Sequence, residues 1–217
     1  MFKRSLQFFG LILLLMTGYG LTLLPLLLIR PHVQTRPFMG AMSIWFLLVV
    51  LSLPFLLRMI TCRVWFFKGR GEPVIKELLE SMLMGINDYN SPVIVRKKRG
   101  RLIIGWRCTD PQWCERMALE GIRKMYELTL KLDHDTRTVI MKDRVRKVDF
   151  DLCPIKVKTG FVAYPKFYCR VDRGEQWGLQ NFEHTAADQY TFKPRELKSP
   201  IFNTVLNHGW NIRFTIF

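Results

Sequence analysis

Acidic residues are missing from the head of this chain: residues 1–57 contain no Asp or Glu, and only Lys3, Arg4, Arg30 and Arg36 carry charge there. That excludes an ordinary solvent-washed helical segment, which sets a polar face against an apolar one. Reactive motifs are missing too. The sequence has no G-x-S-x-G, no Walker loop, no G-x-G-x-x-G and no H-E-x-x-H, so hydrolase, nucleotide, dinucleotide and zinc-protease chemistry have no support in the primary structure. Cysteine is scarce and odd in number: Cys62, Cys108, Cys114, Cys153 and Cys169. No C-x-x-C occurs, and no His pairs with a Cys at metal-ligand spacing. Free thiols in a reducing compartment are expected, with no metal and no cofactor. Internal repeats and low-complexity stretches are also absent.

What is present is grease. Residues 5–29 and 37–57 are two uncharged apolar runs, ended by Arg30 and Arg58. Roughly 20 apolar residues at 1.5 Å each cross about 30 Å of hydrocarbon, and in lipid the backbone satisfies itself only as a helix. Spans at about 6–29 and 38–57 are therefore predicted. The short link framed by Pro31 and Pro37 makes them a hairpin of antiparallel neighbours. The first run is too long for a signal-peptide core and has no A-x-A-like cleavage site. Thr17-Gly18-Tyr19-Gly20 has the letters of a potassium filter. It lies inside a continuous apolar run, so its glycines read as small residues on a helix-packing face.

Flanking charge sets the orientation. Lys3 and Arg4 precede the hairpin, and Arg58, Arg63, Lys68, Arg70 and Lys76 follow it, against Arg30 and Arg36 in the link. The positive-inside rule then predicts a multi-pass protein of the cell (inner) membrane with both termini cytoplasmic. Trp65, Phe66 and Phe67 are expected at the headgroup layer beside Arg58, Arg63, Lys68 and Arg70. The chain thus divides into a transmembrane hairpin with its juxtamembrane segment, 1–68, and a basic cytosolic domain, 69–217. Residues 58–217 hold 29 of the 33 Lys and Arg and all 18 acids, a net charge of +11.

Gly69-Arg70-Gly71 looks like a hinge. Glu72-Pro73 opens a helix whose stripe runs from Val74 to Ile86 at helical spacing. Val93–Val95 and Leu102–Ile104 read as a hairpin, with a basic tip between them. Asp110-Pro111 caps a second helix. Residues 126–133 alternate apolar and polar, the signature of a half-buried strand, and turn at 134–137 into a return strand over 138–142. Further strands are expected at 145–152, 155–164 and 166–172. Residues 173–198 read as loop. Ser199-Pro200 starts a short helix that Gly209 stops, and 210–216 alternate as a last strand. The fold class predicted is a membrane-anchored α+β protein: a transmembrane hairpin plus an antiparallel sheet of about five to seven strands with two or three helices.

Three sets of residues stand out as candidate sites. Arg96, Lys97, Lys98, Arg99 and Arg101 form a basic hairpin tip, either solvated or in contact with anionic lipid, a protein or nucleic acid. His134, between Asp133 and Asp135, and His184, beside Glu183 and near Asp188, are the candidate catalytic bases. The Asp-rich setting of His134 fits a turn better than an active site. The expected function is a non-enzymatic accessory or scaffold subunit, with the lipid bilayer and a protein partner or second copy as its contacts. The alternatives are a membrane-tethered nucleic-acid binder and an enzyme acting on a membrane-proximal substrate.

Overall fold

A computed structural model describes the chain except residues 1, 154, 155, 167, 169, 175, 184–189, 216 and 217. It divides into two compact units, 1–65 and 66–217.

The first unit is helical. Helix α1 (Phe2–Ile29) and helix α2 (Thr35–Val64) flank a single 3-10 turn at Arg30–His32. The cross-links between them close from the ends towards the link, as antiparallel helices require. The Arg4 guanidinium donates to the Val64 carbonyl at 2.9 Å, the Tyr19 and Ser52 hydroxyls meet at 2.7 Å, and Trp45 Nε1 donates to Thr22 Oγ1 at 3.1 Å. Both helices are long and apolar enough to cross a membrane, and no residue in the most apolar window of either is buried. The glycines do not mark the packing face. A Cβ added at Gly18 or Gly20 would meet nothing within 4 Å, and the polar side chains of Tyr19 and Thr22 make the contacts instead.

The second unit is a seven-stranded mixed sheet with helices. Its strands are β1 (Phe66–Phe67), β2 (Val93–Lys98), β3 (Arg101–Trp106), β4 (Lys124–Asp133), β5 (Thr138–Leu152), β6 (Lys156–Pro165) and β7 (Asn211–Thr215). The order is β1-β7-β5-β4-β3-β2, with β6 paired to β5. All pairings are antiparallel except β5 with β7, which is parallel, so the expected purely antiparallel sheet is corrected. Strand β5 is one continuous strand rather than two. Its first residues pair β7 along 138–142, its later ones pair β6 from 144 to 152, and β4 takes the opposite edge.

Among the described residues four α-helices accompany the sheet, against the two or three expected: α3 (Lys76–Met84), α4 (Pro111–Leu119), α5 (Gln180–Glu183) and α6 (Pro194–Asn207). Asp110 caps α4 as expected, its carboxylate accepting from Gln112 N at 3.1 Å, with Pro111 at the first turn. The β2–β3 hairpin turns on Arg99 and Gly100, both left-handed, as a two-residue turn of matching twist requires. Helix α6 begins at Pro194, well inside the stretch read as loop, and every residue from Leu197 to Leu206 is buried. It packs Phe202 against Phe67 and Phe214, with ring centroids 5.0 and 5.8 Å away.

The described part of 166–172 is not a strand: Lys166 N keeps one bond to the sheet, to Asp143 O of β5 at 3.1 Å, Tyr168 N turns to the Asp143 carboxylate, and the other bonds go to α6. Lys198 Nζ donates to Tyr168 O at 2.7 Å, Asp172 N donates to Ser199 Oγ at 3.0 Å, and Asn203 Nδ2 donates to Asp172 O at 2.9 Å. A chain whose peptide groups are already satisfied gains nothing from a sheet edge.

Candidate functional site

Alternation along the strands sends the two faces of the sheet to different fates. On β5, Val139, Met141, Asp143 and Val145 are buried, while Ile140, Lys142, Arg144 and Arg146 are half-buried. The buried face is the core. It joins Leu128, Leu130, Ile212 and Phe214 with Phe67 and the buried side of α6.

The opposite face is strongly cationic. Register places Arg96 opposite Ile103, Lys98 opposite Arg101, Thr129 opposite Lys142, Glu127 opposite Arg144, Lys131 opposite Ile140, and Ile140 in turn beside Arg213. Opposed residues share a face, so Arg96, Lys98, Arg101, Lys131, Lys142, Arg144 and Arg213 lie together, and all seven are exposed or half-buried. Among the described residues two acids share that face, Glu127 and Asp133. Glu127 is occupied by Arg146, Nε to Oε1 at 2.9 Å. Among the described residues none of the seven forms an ion pair. Partial burial, and then the cations Arg144 and Arg101, hold Lys142 below the usual lysine range. The buried Arg213 Nε has no hydrogen-bond partner among the described residues.

The basic hairpin tip is thereby split. Arg96, Lys98 and Arg101 belong to the cationic face and Arg99 sits in the turn, but Lys97 points the other way and pairs with Glu80 of α3. Sequence reasoning found the consecutive run. It missed Lys131, Lys142, Arg144 and Arg213, which join it only through strand order.

A second cluster lies inside the core. Lys198 and Asp143 are fully buried, with Nζ 2.7 Å from Oδ2. Asp143 also accepts from the Tyr126 hydroxyl at 2.6 Å and from Tyr168 N at 2.9 Å. The Lys198 ammonium sits 3.9 Å from the centroid of the Phe214 ring. Burial and the neighbouring Asp143 charge push the Tyr126 hydroxyl well above the ordinary tyrosine value. The ammonium and the carboxylate are each held by several partners of the domain's own, and the cluster serves the core. Its sequence signal was a lysine on the stripe shared with Phe202 and Val205.

The remaining candidates fall apart from one another. His134 is exposed in the β4–β5 turn, 3.9 Å from its neighbour Asp135, where Thr136 Oγ1 donates to Asp133 Oδ2 at 2.8 Å. His184, with Asp188, lies outside the described residues, as does Cys169. Phe67 is 3% exposed and belongs to the core, and Trp65 is 1% exposed. Of the three aromatic residues expected at a headgroup layer, only Phe66 stays partly open, with the Arg213 guanidinium 5.8 Å from its ring centroid. Arg58, Arg63, Lys68 and Arg70 are all exposed.

The structure joins Cys114 and Cys153 in a disulfide, where free thiols are expected of a domain in a reducing compartment. Cys62 and Cys108 are free, and burial raises the Cys108 thiol above its ordinary value. No group of three or more His, Cys, Asp or Glu able to hold a metal occurs among the described residues. An open cleft of about 1040 Å³ is lined by Gly121, Arg123, Lys147, Asp149, Lys158 and Thr159 among others, with both charge signs in its wall.

No protein-family model, curated protein or solved structure matches the chain.

Proposed function

We propose that this chain is a membrane-anchored accessory or scaffold subunit. In this reading the α1–α2 hairpin crosses the cell (inner) membrane twice, both ends face the cytoplasm, and the basic mixed-sheet domain is held at the inner face to assemble with a protein partner or a second copy. The supporting observation is the flank of large apolar side chains, Phe9, Leu13, Leu14, Leu28, Phe46, Leu51 and Phe55 among them, that both helices leave uncovered. A soluble protein rarely exposes a contiguous apolar surface of that extent. The ionisable cluster of the domain is buried and spent on its own partners, which favours a binding role over a reaction. His134 lacks an orienting third group among the described residues.

Membranes from expressing cells, stripped with alkaline carbonate, should retain the chain, and release into the wash would remove the anchor. Purification in mild detergent should then yield a stoichiometric partner or a homo-oligomer. A monodisperse, partner-free monomer would remove the scaffold role and leave the anchor standing.

The cationic sheet face gives a membrane-tethered nucleic-acid binder its one specific support. That reading expects the full chain in detergent to retard DNA or RNA, with affinity falling steeply as salt rises.

A further inference from the structure

We infer that the cationic sheet face is a docking surface for an anionic phospholipid bilayer, lying against headgroup phosphates. The inference rests on the membrane-anchored reading and names the ligand of one face of the domain.

The arrangement of charge comes first. The seven cations do not converge on one point. They are spread over β2, β3, β4, β5 and β7, four strand spacings or about 19 Å across. A pocket for a single phosphate gathers its donors. A broad open array matches many phosphates presented in a plane. Clusters of Lys and Arg close to an anionic leaflet each add to the attraction, and the effect persists only within a Debye length of the surface. Asp133 sits at the far end of the face, in the turn contact with Thr136, and Glu127 is held by Arg146. The carboxylates therefore leave the array largely uncompensated.

The chemistry of the face disfavours nucleic acid as its occupant. Sheet surfaces that take single strands stack bases on aromatic side chains. None of the five strands that carry the cations places an aromatic side chain between them; Phe66 lies on the edge strand β1 with Arg213 near its ring, and the exposed Phe161 lies on β6, outside the array. The apolar positions between the cations are Ile103 and Ile140, half-buried aliphatic groups that offer no stacking plane. Strand β1, which carries Phe66, follows helix α2 in the chain with a single residue between them.

The test uses the full chain in nanodiscs, either of phosphatidylcholine alone or with about one third phosphatidylglycerol to supply the anionic surface. An amine-acylating reagent reports on Lys98, Lys131 and Lys142 of the face, with exposed Lys193 of the α6 start as the reference. Acylation of the three face lysines is expected to fall about threefold or more in the anionic discs relative to Lys193, and to recover at about 1 M salt, where the Debye length is about 3 Å. The combined variant Arg96→Gln, Arg101→Gln and Arg144→Gln, which leaves the reporter lysines in place, should lose most of that protection. Equal acylation of the face lysines in both discs overturns the inference. So does protection that appears in neutral discs only when a single-stranded oligonucleotide is added, because the face would then be a nucleic-acid surface. Failure to enter discs of either composition sinks the anchored reading itself, and the inference with it. Entry without lipid-dependent protection sinks the inference alone.

Discussion

Gly69 and Gly209 meet backbone to backbone: a Cβ on Gly69 would lie 2.4 Å from the Gly209 carbonyl carbon. Gly209 is left-handed, and its own Cβ would strike Pro73 N at 2.4 Å. Around this crossing Arg70 N donates to Leu206 O at 2.7 Å, Val74 N to His208 O at 3.2 Å, and Gly69 N to Asn211 Oδ1 at 3.0 Å. Trp210 Nε1 adds a bond to Val74 O at 2.8 Å. The Gly-Arg-Gly segment read as a hinge is therefore a clamp. Gly69 serves close approach, and Gly71 serves the positive φ of the turn.

Alanine at either position should be costly for that reason. Gly209→Ala combines a strained φ with a backbone overlap and is expected to destabilise the domain by about 2–4 kcal/mol, and Gly69→Ala by about 1–3 kcal/mol. Gly71 is a control, since its Cβ would meet nothing within 4 Å. Its positive φ alone should limit the loss on Gly71→Ala to about 1 kcal/mol. Guanidinium unfolding of the full chain in mild detergent, followed by tryptophan fluorescence, reads all three. Equal losses at Gly69 and Gly71 would show that the clamp does not exist.

The buried pair gives an asymmetric prediction. Removing the carboxylate with Asp143→Leu strands the Lys198 ammonium in the core, a change expected to cost about 3–5 kcal/mol. Lys198→Met leaves Asp143 with the Tyr126 hydroxyl and Tyr168 N, so its cost should be smaller, about 2 kcal/mol. The double variant should recover part of the larger loss, because a well-packed apolar pair replaces two charges. Strict additivity in the unfolding free energies would mean the two side chains do not interact.

Local chemistry made much of the fold legible, and non-local chemistry hid the rest. The alternation of Tyr126, Leu128, Leu130 and Leu132 announced β4, and Asp110-Pro111 announced α4, because those signals sit within a few residues. The parallel partnership of β7 with β5 leaves no local trace, since each strand alternates the same way beside either kind of neighbour. The start of helix α6 stays hidden because Glu196 and Lys198 look like loop residues. Their charged heads are taken up by Thr191 and Asp143, which lie outside the helix. The site followed the same rule. A consecutive basic run could be seen, whereas a face built from alternate residues of five strands needed the register.

Alkaline titration should separate the tyrosines. Burial, then the Asp143 charge, raise the Tyr126 hydroxyl well above its ordinary value, and burial raises Tyr190 as well. A tyrosine in the unfolded chain ionises near about pH 10. With folded values above that, the stability owed to keeping these hydroxyls protonated is complete below about pH 10 and declines as pH climbs past it. The chain has six tyrosines. Absorbance at 295 nm at about pH 11, in protein that still refolds on return to neutral pH, should fall short of the six-residue step. Tyr126→Phe should leave that folded-state step unchanged. A full six-residue step from folded protein would refute the burial of both hydroxyls.

On the membrane-anchored reading proposed above, the Cys114–Cys153 pair reports which side of the membrane the domain occupies. Disulfides persist in oxidising compartments and are kept reduced in the cytoplasm. The flanking charges, seven Lys and Arg outside the link against Arg30 and Arg36 within it, argue for a cytoplasmic domain. Both sulfurs belong to one compact unit and are within bonding reach, so their state in the cell follows the compartment rather than the fold. Living cells quenched in acid and alkylated at once should yield Cys114 and Cys153 as modified thiols, with the bond forming only after lysis in air. Cys108, buried and with a raised thiol pKa, should react only after denaturation and serves as the internal reference for unfolding. A pair already oxidised at the moment of quenching would put the domain on the far side of the membrane. The charge-based orientation would then be reversed, while the hairpin itself would stand.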